Sequence, residues 1–491
     1  MRFMRLVALL AIPAHVLLAQ QAPATRGGPL TLDDAITIAR QNNPSLAQTR
    51  NYVRNADATL KTMYGALLPS ASASVGSSYT QGGTQYYQGV ALGSTADSYN
   101  SNYRLGFNYT VAAGAVFAPK AGRASRAAAE ANVTSATEGL RSSVTTQYIQ
   151  TLEEQATAAL NDTLVMTAKG QLDLANAKME VGAGTILDVR TAEVALGQAR
   201  VSALQSHNQA QIEKLKLFQL MGVPADTSAV LTTQFQIGKA LPAVDELITM
   251  ARRVNPDLLA KKSTQLADEA NLKVAKSTYL PSLNLSTGVG GTAFGYASVD
   301  PLVTQAQTQA ALSFGSCLSS DSIRVGAGLK ARGCNSALSP AAVDAIRSNL
   351  QSSNKPFRFA STPLSFSVGI SLPIFNNFQR EANVENARVA HDNASFDLRS
   401  RDLQLATDVS TAYLNVVTAA QTIDLRTTTA AQATEALAFA DESYKVGAKT
   451  FLDVTTARGQ YEQALVARVN AIYDYHKAFA ALESAVGRPL R

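Results

Sequence analysis

The chain has 491 residues and no Trp, and only 16% of it is charged, with aromatic side chains at 7%. A typical soluble domain is about 25% charged, so a row of ordinary globular cores is not the expected solution, and small side chains suited to close helix packing fill the space instead. The 43 Lys and Arg against 37 Asp and Glu leave +6, too little on a chain of this length for a nucleic-acid footprint.

Residues 1–22 pair Arg2 and Arg5 with an apolar run from Leu6 to Leu18 and small residues at Ala19 and Ala22, the pattern of a secretory signal peptide. No Cys follows that run, so a lipid-anchored mature N-terminus is not expected. No later stretch reaches the roughly 18 apolar residues of a membrane-spanning helix. The exported chain is therefore either soluble or inserted through β-strands.

The remainder is written twice. Residues 30–75, from LTLDDAI through Asn43-Pro44 to Leu68-Pro69-Ser70, match 242–287, with Asn255-Pro256 and Leu280-Pro281-Ser282, at an offset of 212. Residues 144–224 match 409–489 at an offset of 265: Tyr148 falls on Tyr413, Gly222 on Gly487 and Pro224 on Pro489. The difference, 53 residues, is an insertion in the second copy. The expected organisation is a first repeat over 23–240 and a second over 241–491, with 291–361 an inserted loop that a barrel would place on the extracellular side.

Each repeat opens with a helical stretch (31–66 and 244–279) broken at Asn-Pro, because Pro pushes the residue before it out of the helical region. Strand-like runs follow the Leu-Pro-Ser boundary. Tyr103, Leu105, Phe107, Tyr109 and Val111 alternate with polar residues, as do Leu364, Phe366, Val368, Ile370 and Leu372, while Leu283, Leu285 and Val289 obey the same rule. The run 70–80 is weaker, with only Val75 and Tyr79 on the apolar parity. Runs of about ten residues with one apolar and one polar face fit transmembrane β-strands, and a half-buried soluble sheet would show the same alternation.

A long helical hairpin completes each repeat. Residues 120–180 and 380–445 contain no Pro, and at 1.5 Å per residue each reaches roughly 90 to 100 Å. The return helices carry rows at seven-residue spacing: Val189, Leu196, Ala203, Ala210 and Leu217 in one, Ala457, Ala464, Ala471, Ala478 and Ala485 in the other. Such a period implies left-handed supercoiling.

Within the insertion, Asp300-Pro301 and Ser339-Pro340 resemble capped starts of short helices. They bracket Cys317 and Cys334, the 2 cysteines of the chain, and a disulfide is expected between them in an exported protein. Four strands cannot close a barrel, and an open sheet edge in lipid leaves backbone groups unpaired at several kcal/mol each, so copies must share one; three would give twelve strands.

The duplicated LTLDDAI and Asn-Pro, the LLPS and YLPS boundaries, the LPIF turn at 372–375 and the paired tips EVGAGTILDV and KVGAKTFLDV resemble the outer-membrane efflux protein family, the TolC type of export duct. The resemblance spans nearly the whole mature chain apart from the insertion. It implies a membrane α+β fold, internally duplicated: four strands per chain in a homotrimeric 12-stranded β-barrel, continuous with a long α-helical coiled-coil tunnel in the periplasm. It further implies an outer-membrane channel of a tripartite efflux pump or type I secretion system, passive, with no cofactor, contacting outer-membrane lipid, a periplasmic adaptor and an inner-membrane transporter. A non-channel periplasmic coiled-coil scaffold is the competing expectation. Neither an enzyme nor a metal protein is expected, since no nucleophile, histidine and acid stand at catalytic spacing and His207, His391 and His476 are mutually remote.

At the tips, Gly182 and Gly447 stand where a helix end needs a left-handed residue, and Thr185 with Asp188, like Thr450 with Asp453, stand as capping boxes. Capping alone accounts for these residues. The resemblance adds a second role: Val181, Gly182, Thr185, Val446, Gly447 and Thr450 as adaptor-docking turns, and Asp188, Tyr444, Lys449 and Asp453 as groups that close the aperture, Asp453 in a threefold ring attracting cations. Thr456 stands where some members have a second acid, which weakens that ring.

Overall fold

The computed structural model describes residues 28–238, 241–334, 338–355 and 358–490; the expected leader lies outside them. In chain order, strand β1 (Pro29–Leu30) leads to helices α1 (Leu32–Asn42) and α2 (Pro44–Gly65), strands β2 (Ser70–Thr80), β3 (Thr84–Tyr87), β4 (Val90–Ser94) and β5 (Ser98–Ala112), and helices α3 (Ala113–Glu180) and α4 (Ile186–Met221). After β6 (Val230–Leu231) come α5 (Val244–Val254), α6 (Pro256–Lys276), β7 (Ser282–Tyr296), α7 (Asp300–Gly326), α8 (Pro340–Ser353), β8 (Ala360–Ser371), α9 (Gln379–Lys445) and α10 (Phe451–Val486). These form two compact units, one helical (through Leu60, Lys120–Leu272, from Glu385) and one containing the main sheet (Lys61–Pro119, Lys273–Val384).

In the helical unit, each repeat builds its own core from equivalent residues. Ala35, Ala39, Val144, Tyr148, Leu217 and Met221 are buried in the first; Leu247, Ala251, Val409, Leu482 and Val486 fill matching places in the second, with Tyr413 packed against them. The expected row Val189, Leu196, Ala203, Ala210 and Leu217 is buried throughout. Of the alanine row in α10, Ala464 and Ala471 are buried while Ala457, Ala478 and Ala485 are half-buried.

The Asn-Pro breaks are rivets as well as kinks. Asn43 is extended (φ −65°, ψ 121°), its side-chain oxygen accepts from Leu46 N at 3.1 Å, and its Nδ2 donates to the Leu220 carbonyl at 2.8 Å. Asn255 repeats this with Leu258 N at 3.1 Å and the Ala485 carbonyl at 2.9 Å. Each kink is thereby tied to the last turn of its return helix, where Gly222 and Gly487 hold left-handed caps. Among the described residues one rivet is found in the first repeat alone. The Tyr148 hydroxyl donates to Leu30 O at 2.7 Å and accepts from Thr232 N and Thr233 N at 3.2 Å, securing the parallel β1–β6 pair.

The main sheet has the order β2-β5-β7-β8, antiparallel throughout. Its register aligns the alternating residues across strands. Val111, Leu283 and Ile370 stand opposite one another, as do Tyr109, Leu285 and Val368, then Phe107, Thr287 and Phe366; Val75 faces Tyr103 and Tyr79 faces Tyr99. One face is therefore a continuous apolar surface, and it is exposed: Ile370 at 77%, Phe366 at 68%, Val75 at 84%. The weak run 70–80 is a full strand because its partner β5, rather than its own alternation, holds it. Among the described residues β2 and β8 are each paired along one edge only. The β7–β8 register shifts between Gly288 and Gly290, where Pro363 in β8 supplies no N–H.

Beyond β8, Arg380 donates to the carbonyls of Pro373 (2.6 Å) and Ile374 (3.2 Å) and lies over the Tyr279 ring. It fixes the LPIF turn; Asn377 and Phe378, between that turn and α9, take positive φ.

The inserted segment differs from expectation in two respects. Strand β7 runs to Tyr296, so the first residues of 291–361 belong to the sheet rather than to a loop; the glycines at 288, 290, 291 and 295 hide the alternation that pairing with β5 restores. Helix α7 is 27 residues long rather than short, and Asp300 is its first residue with Val299 as N-cap. Ser339 does cap α8, accepting from Ala342 N at 3.3 Å. Cys317 and Cys334 are bonded, Cα–Cα 5.8 Å, and the Asp321 carboxylate between them accepts from Arg332 N and Gly333 N at 3.0 and 2.9 Å. Replacing both cysteines with serine is expected to lower the local stability of this loop by about 3 kcal/mol, measured as faster tryptic cleavage at Lys330 and Arg332.

Candidate functional site

The tips of the two helical hairpins come together in the helical unit. In the first turn Gly182 has φ 76°, Gly182 N donates to Met179 O (3.0 Å) and Ala183 N to Lys178 O (2.9 Å), closing α3 with a left-handed cap. Thr185 then starts α4: its N–H donates to Asp188 Oδ2 at 3.0 Å, and Asp188 N returns to Thr185 Oγ1 at 3.2 Å. The second turn repeats the design, with Gly447 at φ 81°, Thr450 N to Asp453 Oδ2 at 2.9 Å and Asp453 N to Thr450 Oγ1 at 3.4 Å. Both capping boxes are complete, so four of the expected site residues act as helix caps. Val181 and Val446, one before each glycine, are large apolar residues that the turns leave exposed.

Behind the turns lies a buried cluster drawn from both hairpins: Ala175, Val189 and Ala192 from the first, Leu437, Ala440, Tyr444, Phe451 and Val454 from the second. Tyr444 is at its centre, packed on Phe451 with ring centroids 5.4 Å apart. Asp188 and Tyr444 meet across the hairpins of a single chain. The hydroxyl is buried outside hydrogen-bonding geometry, and burial first, then the neighbouring Asp188 carboxylate, push its pKa up. Asp453 is exposed, and the Thr450 N–H and hydroxyl, with Lys449 adding a smaller pull, hold its carboxyl below the usual carboxylate range. It is a fixed negative charge at the second tip, and Lys449 is exposed beside it.

Contacts between hairpins that the sequence did not announce run along α3. Lys477 Nζ reaches Glu153 Oε2 at 3.0 Å, Arg458 Nη1 donates to Gln171 Oε1 at 3.3 Å, and Lys178 Nζ stands 4.0 Å from the Tyr444 ring centroid while donating to the Tyr444 carbonyl. Each joins residues more than 250 positions apart, and no local pattern marks such pairs. Among the described residues the group with metal-ligand proximity is Cys317, Asp321 and Cys334, whose sulfurs are consumed by their bond. No helix among the described residues is long and apolar enough to cross a membrane.

Comparison with known proteins accords with this architecture. The family model for outer membrane efflux proteins matches residues 35–223 and 341–488, most of the first repeat and the later part of the second, from α8 through α10. The pyoverdine export outer membrane protein OpmQ of Pseudomonas putida is 27% identical over 283 residues, 55% of this chain and 58% of that protein. The fusaric acid resistance protein FusA of Burkholderia cepacia is 25% identical over 269 residues, 53% of this chain and 50% of that protein. The chain thus spans about half the length of these relatives. The crystal structure of the outer membrane protein VceC from Vibrio cholerae superposes with a TM-score of 0.68 at 18% identity, covering 94% of this chain and 97% of that one. A TolC-type fold, a duplicated sequence and a family model that matches both copies have one reading: the chain belongs to the outer membrane efflux protein family, whose members are channels rather than enzymes, and it is seated in the outer membrane and extends into the periplasm.

Proposed function

We propose that three copies of this chain assemble into a passive exit duct that conducts substrates delivered by an inner-membrane transporter through a periplasmic adaptor. The observation that carries this is the main sheet, with its exposed apolar face and two open edges. In lipid such a face is stabilised, while each unpaired edge group costs several kcal/mol, so the edges β2 and β8 of neighbouring copies must pair and close a barrel. Two copies would give eight strands, whose interior side chains fill; three give twelve and leave a passage. The polar face, with Asn102, Arg104, Asn108 and Asn284 on the opposite parity, would line it.

The tips support the docking half of the proposal. Their turns follow a left-handed glycine and end in a capping box, and they present Val181 and Val446 to solvent, a small apolar surface for an adaptor. Relatives named for pyoverdine export and fusaric acid resistance favour service in an efflux pump over protein secretion. Purified protein in planar bilayers is expected to open discrete conductances; a preparation that stays soluble, binds no bilayer and conducts nothing would instead identify a periplasmic scaffold.

Asp453 gives this reading a finer test. In a threefold assembly its carboxylates would form an anionic ring at the second tips. Asp453→Ala is expected to lower cation preference, seen as a shifted reversal potential under a salt gradient, and to weaken block by divalent cations. Unchanged selectivity would leave it the capping role alone, worth about 1 kcal/mol.

A further inference from the structure

The three cross-hairpin contacts differ in kind along α3. Glu153 with Lys477 is a buried ion pair, Glu153 at 7% exposure. Gln171, also buried, meets Arg458, which is itself paired with Glu462 at 3.2 Å. Roughly 10 Å further toward the tip, at 1.5 Å per residue, Lys178 holds Tyr444 by a cation over its ring and a hydrogen bond to its carbonyl.

This last contact does not descend from the duplication. The repeat places Ser443 opposite Lys178 and Met179 opposite Tyr444, so the reciprocal pair has neither a cation nor a ring. Lys178 is in the last turn of α3 and its ammonium reaches the last turn of α9, where the carbonyl end of a helix carries partial negative charge. A cation rooted in the last turn of one hairpin's helix thus meets the carbonyl end of the other hairpin's helix. It does so through backbone and ring together, leaving the Tyr444 hydroxyl toward Asp188.

We propose that Lys178 is the positioning residue that clasps the second tip to the first, and that the Arg458–Gln171 contact bounds the segment this clasp controls. Releasing Lys178 frees the turns at 181–185 and 446–450 while α3 and α10 stay joined from Gln171 toward Glu153. The consequence for conductance rests on the aperture role proposed above; the clasp itself does not.

Hydrogen–deuterium exchange on the full chain separates the two. In Lys178→Met, and in Lys178→Gln as a second neutral variant, exchange at amides 441–449 and 181–185 is expected to rise about tenfold. Amides 150–165 and the global melting temperature are expected to stay as in the wild type. Lys178→Arg keeps a cation and donors and is expected to retain protection; so is Tyr444→Phe, which keeps ring and carbonyl. Wild-type protection in both neutral variants, or equal loss in Tyr444→Phe, overturns the proposal, the latter by assigning the hold to the Asp188-facing hydroxyl. In planar bilayers the neutral variants are expected to raise basal conductance. A wild type that never conducts contradicts the channel reading and leaves the exchange result to decide the clasp.

Discussion

Phe366→Arg is expected to leave no assembled protein in the outer membrane. Phe366 is in β8 opposite Thr287, which in turn faces Phe107, well inside the strands and on the continuous apolar face. An arginine near the bilayer midplane costs about 2–4 kcal/mol in a barrel, and a shared barrel would incur that in every copy. Domains are stable by only about 5–15 kcal/mol, so the summed penalty is enough to prevent insertion. Ser367→Arg, one residue on, points to the opposite face, where Ser367 Oγ is 2.6 Å from Ser286 Oγ. That variant is expected to assemble and to change conductance. Fractionation followed by immunoblotting compares the two. A soluble sheet would tolerate arginine at Phe366, already 68% exposed, so equal recovery of both variants in the membrane fraction would contradict the assignment of this face to lipid.

The second large effect is expected at the glycines that close the return helices. Gly487 has φ 87°, and a Cβ there would stand 2.8 Å from Asn255 Cα and from Pro256 Cδ. At Gly222, φ 72°, the same atom would be 2.5 Å from Asn42 O. These are backbone neighbours of the Asn-Pro rivets, which cannot move without breaking the Asn255–Ala485 or Asn43–Leu220 bonds. The left-handed backbone costs a side chain about 1–2 kcal/mol and overpacking adds about 1–3 kcal/mol. Gly487→Ala and Gly222→Ala are each expected to lower the denaturation midpoint accordingly, and to add when combined because the two sites belong to separate cores. Gly170→Ala, an exposed mid-helix position with open space around its Cβ, is expected to be neutral or to stabilise by up to about 1 kcal/mol. Cap variants as stable as Gly170→Ala would mean that the rivets do not hold the kinks.

Much of this was legible because the chain carries its own comparison. Val144 and Val409, or Leu217 and Leu482, identify themselves as core by recurring at one offset, and both prove buried. Thr185–Asp188 and Thr450–Asp453 were legible as caps because capping is local, acting over three residues. What stayed hidden is either very short or non-local. The β3–β4 hairpin and the two-residue β1–β6 pair are too short for an alternation to register. The end of β7 is glycine-rich and gains its strand character from β5. Lys178 and Tyr444 are 266 residues apart, and the repeat offers no counterpart to point at them. Low overall charge and absent Trp, puzzling for a globular chain, suit alanine-seamed helices and a sheet whose apolar side faces outward.

The claim on which the rest depends is that three chains close one barrel. Its most direct test is the mass of the assembly extracted intact from outer membranes in mild detergent, measured by native mass spectrometry. The expected result is a single species of three copies that falls to monomers on heating. A stable monomer, or a dimer with eight strands, would contradict it.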